Sequence, residues 1–244
     1  MPPILYLVRH GQGEHNVNNS HHIRDPLLTE HGKKQCQDLR DQFKHHEDIL
    51  LVLASPLQRA IQTAAHAFSP VLEKRQVPFV LVPLAQEISH LTCDLGADRE
   101  SLARDAPGLI AQGAPGYNVD DLDMSLVDED WNSKAGIYAP TLYAVRKRAA
   151  AQRSWLWQRP EECIVLVSHG AFLHYLTEDW TGYDRARGTG YMNCEYRQYE
   201  FSKDSTEADA HLIEIGVCRE KVSRPAGLDA HVIHEIEEVE KASH

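Results

Sequence analysis

The sequence predicts a three-layer α/β/α fold with a mostly parallel central sheet and an antiparallel pair at one edge. Three observations predict it. Short apolar runs (Leu5–Val8, Ile49–Ala54, Phe79–Val82 and Cys163–Val167) read as strands buried on both faces, as parallel sheets require. Between them lie segments with apolar residues three to four apart, the period of helices packed on a sheet. Near the end, Glu195–Phe201 alternates polar and apolar residues, and His211–Val217 is apolar enough for a partner strand.

Taken in order, the first strand ends in Arg9-His10-Gly11, and Gln12–Leu28 is a polar, histidine-rich loop. Thr29 is placed to cap a helix running to about Phe43 that buries Cys36, Leu39 and Phe43. His45 and His46 fit the negative end of that helix. Pro56 suits the first turn of the next helix, with Arg59 near its start. The third strand leads into Glu87. Asp98–Arg104 reads as a short helix, and 114–139, rich in Gly, Pro and acids, as an insertion. A long helix spans about Thr141–Gln158, and another Ala171–Trp180. The expected organisation is one domain over residues 1–219, with an insertion near 88–140. Residues 220–244 form a charged tail or peripheral helix, whose stripe of Ile233, Ile236 and Val239 is thin.

Composition narrows the function. The chain has 244 residues, enough for a sizeable core, and a formal net charge of -11, which argues against a general nucleic-acid surface. No apolar stretch reaches the ~20 residues that span a bilayer, and the first residues do not form a secretory leader. Five cysteines without CxxC spacing read as reduced thiols, and the expected location is cytoplasmic.

Ligands of open α/β sheets bind just beyond the carboxyl ends of strands. Arg9-His10-Gly11, Ser55-Pro56-Leu57-Gln58-Arg59 and Ser168-His169-Gly170 all stand at such ends. Two arginines and two histidines gathered there suit an anion, because a guanidinium fork donates to two oxygens at once.

Five segments strengthen this reading. They are Leu7–Asn16 (LVRHGQGEHN), Asp25–Gly32 (DPLLTEHG), Ala54–Ala64 (ASPLQRAIQTA), Gln86-Glu87 and Val167–Gly170 (VSHG). Together they resemble the histidine phosphatase superfamily in its phosphoglycerate-mutase-like branch. The resemblance implies a metal-independent phosphatase acting on a small-molecule phosphate monoester through a phosphohistidine, with no cofactor. His10 is the implied nucleophile and Glu87 the implied general acid and base, with Asp94 as the alternative acid. Arg9, Gly11, Asn16, Arg59, His169 and Gly170 are the implied phosphate pocket. The branch also contains mutases. The loop before Asp25 lacks the mutase-like Gly-Trp, and the Arg-Arg-Ser-Tyr segment is missing after Glu87, so a phosphatase is preferred over a phosphotransferase or a silent binding relative. His15 is a candidate substrate contact. Tyr117, Trp131 and Tyr138 fit either a leaving-group pocket or packing. The pairs His21-His22 and His45-His46 lack metal-ligand spacing, so no metal site is expected.

Overall fold

A computed structural model describes residues 1–18, 20–216 and 229–242. Its seven-stranded sheet comprises β1 (Ile4–Arg9), β2 (Leu51–Ala54), β3 (Phe79–Leu81), β4 (Leu122–Asp123), β5 (Cys163–Ser168), β6 (Tyr196–Phe201) and β7 (Leu212–Glu214). The order is β4-β3-β2-β5-β1-β6-β7, and the first five strands are parallel. The last two pair antiparallel at one edge, as their alternation predicts.

Successive side chains of a strand point to opposite faces, and the core divides accordingly. Tyr6, Val8, Val52, Ala54, Val165 and Val167 pack on one side, with α1 (Glu30–Gln42), α2 (Gln58–Ala67), α3 (Ser69–Arg75) and α4 (Arg99–Gly113). Leu5, Leu7, Leu51, Leu53, Ile164 and Leu166 pack on the other, with α5 (Leu142–Trp157), α6 (Gly170–Thr177) and α7 (Ala230–Lys241). The three layers follow from this division.

Several expected elements shift. The segment after Asp98 is a 15-residue helix rather than a short one. Leu102, Ala106, Leu109 and Ile110 are buried at four-, three- and one-residue steps, which is enough to carry the helix past Pro107. The chain after Pro56 forms two helices, α2 and α3, with Phe68 at their junction and Pro70 in the first turn of the second. Helix α6 stops at Thr177, because Glu178 turns left-handed at φ 58°. The insertion contributes β4, a two-residue edge strand beside β3. Its Trp131 is fully buried in the core, and a Cβ on Gly96 would stand 2.1 Å from its ring, so Trp131 packs rather than lining a pocket. Tyr117 is likewise a core residue. Val217, the expected end of the last strand, lies outside the described residues, as does Cys218. The four described cysteines are buried and unbridged.

Thr29 caps α1 as its sequence predicts, its hydroxyl accepting from Gly32 N at 2.9 Å. A Cβ at Gly32 would lie 2.1 Å from the Gln12 carbonyl oxygen. The loop that follows His10 therefore rests directly on the start of α1. Gly32→Ala should force that loop away and cost ~1–3 kcal/mol of stability, the range for overpacking, measured as a lower denaturation midpoint. An unchanged midpoint would contradict the contact.

Candidate active site

Strand register builds the site. Arg9 pairs with Ser168 and Ala54 with Val167, so β1, β5 and β2 end level with one another. The residues that follow, His10, His169 and Ser55, emerge side by side. His10 N donates to Ser168 O at 3.0 Å and Ser55 N to Val167 O at 3.0 Å, which carries the sheet pairing one step into the loops. The rings of His10 and His169 lie 5.1 Å apart.

The hydrogen bonds assign the tautomers. His10 Nδ1 lies 2.7 Å from the Gly11 carbonyl, which can only accept, so Nδ1 carries the proton. Nε2 is left with its lone pair and accepts from Arg59 Nε at 3.3 Å. His169 Nε2 meets Ser55 Oγ at 2.8 Å. With that hydroxyl donating, the proton of His169 sits on Nδ1, which is buried and has no partner among the described residues. Burial, then the positive charge of Arg59, pushes both imidazoles well below the usual histidine range, so both are neutral near pH 7.

Arg59 is fully buried at the start of α2. Its Nη1 donates to Cys93 O at 2.8 Å and its Nη2 to Asp94 Oδ1 at 2.7 Å. Arg9 closes the other side, and its Nε has no partner among the described residues. An added Cβ on Gly170 would come within 3.1 Å of that Nε, so glycine there leaves the guanidinium edge open. Gly11 sits above the Cys36 and Cys194 sulfurs, where a Cβ would meet the Gly32 carbonyl at 2.9 Å. Asn16 accepts from Gly13 N at 3.0 Å, folding the loop over the strand ends.

Glu87 is 2% exposed rather than at the surface. Its carboxylate accepts from Ile88 N at 3.0 Å, and from Ala171 N and Phe172 N at 3.3 and 3.0 Å, the opening turn of α6. Burial, helped by the negative Asp94, outweighs these donors and raises its pKa. Asp94 behaves oppositely. Burial would raise it, but His231 and Arg59 outweigh burial and hold it well below the carboxylate range. Ser89 Oγ also donates to it at 2.6 Å.

The structure thus brings together Arg9, His10, Gly11, Arg59, Glu87, His169 and Gly170, with Asn16 at the rim. Five further residues have no local signal in the sequence. Arg148 of α5 donates to the Gln86 and Glu87 carbonyls at 2.6 and 3.3 Å, fixing the turn that carries Glu87. Lys134, from the insertion, donates to Glu87 O at 3.2 Å, and burial lowers it to about 8. Asp229, His231 and Glu235 arrive from the C-terminal helix. Burial opposes a charge on His231, but Asp94 raises it to about 10.

A model of the histidine phosphatase superfamily, branch 1, matches residues 5–213. The chain belongs to that superfamily. A Schizosaccharomyces pombe protein named a probable phosphatase is 29% identical over 171 residues, 68% of this chain and 73% of the relative. Phosphoglycerate mutase-like protein 1 of Arabidopsis thaliana is 32% identical over 198 residues, 70% of this chain and 69% of the relative. Among solved structures, Bacillus stearothermophilus YhfR shares the fold with a TM-score of 0.52 and 21% identity, covering 88% of this chain and 96% of that one.

The charge states predict a pH profile of stability. His10, His15 and His169 have lowered folded pKa values. As pH falls below ~6.5 the unfolded chain binds protons that the folded chain refuses, so stability falls towards acid. His231 has a raised pKa, so its contribution is full below ~6.5 and is lost as pH rises through about 10. The denaturation midpoint should therefore drop towards acid and again from ~6.5 to about 8, above which Lys134, lowered to about 8, offsets the His231 loss; His231→Gln should flatten this alkaline limb. An unaltered alkaline limb in that variant would contradict the Asp94–His231 pairing.

Proposed function

We propose that this protein hydrolyses a small-molecule phosphate monoester through a phosphohistidine on His10. The observation that carries this reading is the His10 Nδ1 contact with Gly11 O at 2.7 Å. It leaves a neutral imidazole whose Nε2 keeps its lone pair, met among the described residues only by the Arg59 Nε–H at 3.3 Å, which a phosphoryl oxygen can draw away. Membership of the superfamily and the phosphatase-named relative support it.

In this mechanism the phosphoryl oxygens take donors from Arg9 Nε, His169 Nδ1 and Arg59, with Asn16 contributing at the rim. Gly11 and Gly170 leave room for them. Catalysis of phosphoryl transfer is mostly positioning and charge stabilisation of this kind. His10 Nε2 attacks phosphorus in line, and the P–O bond to the leaving group breaks. Glu87, whose raised pKa favours its protonated form, gives its proton to the departing oxygen. As a carboxylate it then takes a proton from water, which attacks the phosphohistidine, releases inorganic phosphate and restores His10. Asp94 is a poor proton donor, since Arg59 and His231 hold it ionised. It is better read as the counter-charge that positions Arg59.

Metal is not required in this scheme, because protein groups stabilise the charge. Among the described residues, Cys93, Asp94 and His231 offer ligand atoms within 4.8 Å of one another. Arg59 already occupies Asp94 and would lie against any cation there. Turnover should survive excess EDTA; loss on chelation with rescue by a divalent ion would contradict the scheme.

Glu87→Gln should retain phosphate binding and slow turnover ~10²–10⁴-fold for alkyl phosphates, whose leaving groups need a proton. Aryl phosphates such as p-nitrophenyl phosphate should suffer much less. Equal slowing of both classes would move the acid role elsewhere. Release of inorganic phosphate to water, rather than its return to a second hydroxyl of the substrate, distinguishes this reaction from a mutase.

A further inference from the structure

The last described segment reaches the same pocket. Asp229, directly before α7, places its carboxylate 2.5 Å from Arg9 Nη2. The remaining groups of Arg9 are Nη1, which donates to Tyr191 O at 2.7 Å, and the unpartnered Nε. Nε and Nη2 form one edge of the guanidinium, the edge that grips two oxygens of an anion. Asp229 holds half of it.

One residue into α7, His231 is buried, with Nε2 3.0 Å from Glu235 and 3.7 Å from Asp94. Its ring meets those of His15 and His21 at 4.8 Å. Asp229 and His231 line a cavity of about 180 Å³ together with His15 and Asn16. The segment is seated rather than draped. Val232, Ile236 and Val239 are buried in the core layer that contains α6. Asp229 N donates to Arg187 O at 2.8 Å, and a Cβ on Gly188 would stand 2.7 Å from Asp229 O.

We propose that Asp229–Lys241 is an intrachain ligand of the phosphate pocket, in which the Asp229 carboxylate takes the position of a phosphoryl oxygen on Arg9. The inference rests on reading that pocket as a phosphate site. Its logic is charge. A segment that completed the site for an anionic substrate would bring a further donor beside Arg9, whereas this one brings a competing anion. The cation it carries, His231, directs its Nε2 to Asp94 and Glu235, and its Nδ1 lies 4.0 Å from Cys93 Sγ. A phosphoryl group that grips both nitrogens of this edge, Nε and Nη2, displaces the carboxylate from Nη2 and loosens the helix behind it. Tethering gives this ligand a high effective concentration, which makes it a built-in competitive inhibitor.

Amide hydrogen exchange on the full chain, with and without inorganic vanadate, tests this. Peptides containing His10 and His169 should gain protection while those from 230–241 exchange faster. Unchanged or slower exchange in 230–241 alongside protection at His10 and His169 would overturn the inference and leave the pocket standing. No protection at either histidine would overturn the pocket, and the inference with it. As a second measurement, Asp229→Asn keeps the side-chain oxygen that accepts from Val232 N but removes the charge. Inhibition by inorganic phosphate should then tighten roughly tenfold, the scale of one charge-assisted hydrogen bond. Unchanged or weaker inhibition would contradict a competing carboxylate.

Discussion

The parallel registration of β1, β5 and β2 is the constraint on which the site depends. Because Arg9 stands opposite Ser168 and Ala54 opposite Val167, three unrelated stretches of chain stop at one level. A one-residue slip would turn every side chain of the strand to the other face, exchanging His10's neighbours and splitting the two core layers. The register is held by burial: Leu5, Leu7 and Val8 are fully buried on alternate faces, as are Ile164, Leu166 and Val167. The packing that stabilises the fold is thus the same packing that sets the spacing of the two histidines.

Charge is arranged around that frame in opposed pairs. Arg59 and His231 share Asp94, Arg9 holds Asp229, and Lys134 and Arg148 hold the carbonyls beside Glu87. Buried charges without partners are costly, so each cation has an anion or carbonyl within reach. Two neighbouring carboxyls of the site are driven apart: Asp94 is held ionised and Glu87 is pushed towards its protonated form. Such separation gives neighbouring acids different tasks.

The strands and the residues at their ends could be read from the sequence, because parallel strands buried on both faces appear as unbroken apolar runs. Arg9, His10, Arg59, His169 and the two glycines follow from that reading, whereas Glu87, six residues beyond β3, is marked by the family resemblance. What could not be read was long-range docking. The sequence suggests a stripe of Ile233, Ile236 and Val239, but the buried set is Val232, Ile236 and Val239, with Ile233 only half-buried. That small rotation turns His231 and Glu235 inward, and no local pattern announces it. The insertion reads as a polar loop because its buried residues, among them Tyr117, Val127 and Trp131, stand apart among glycines and acids. Only the close approach to Gly96 explains Trp131. Helix α4 runs past Pro107, which is tolerated inside a helix only because the apolar face beyond it has a partner to pack against.

The central claim is that His10 Nε2, freed by the Nδ1 contact with Gly11, becomes covalently phosphorylated. Rapid acid-free quenching during turnover, followed by peptide mass spectrometry, measures this directly. The account predicts an acid-labile phosphoryl group on the peptide containing His10 and none elsewhere. Turnover with no phosphopeptide, or with the phosphoryl group on His169 or another residue, would contradict it.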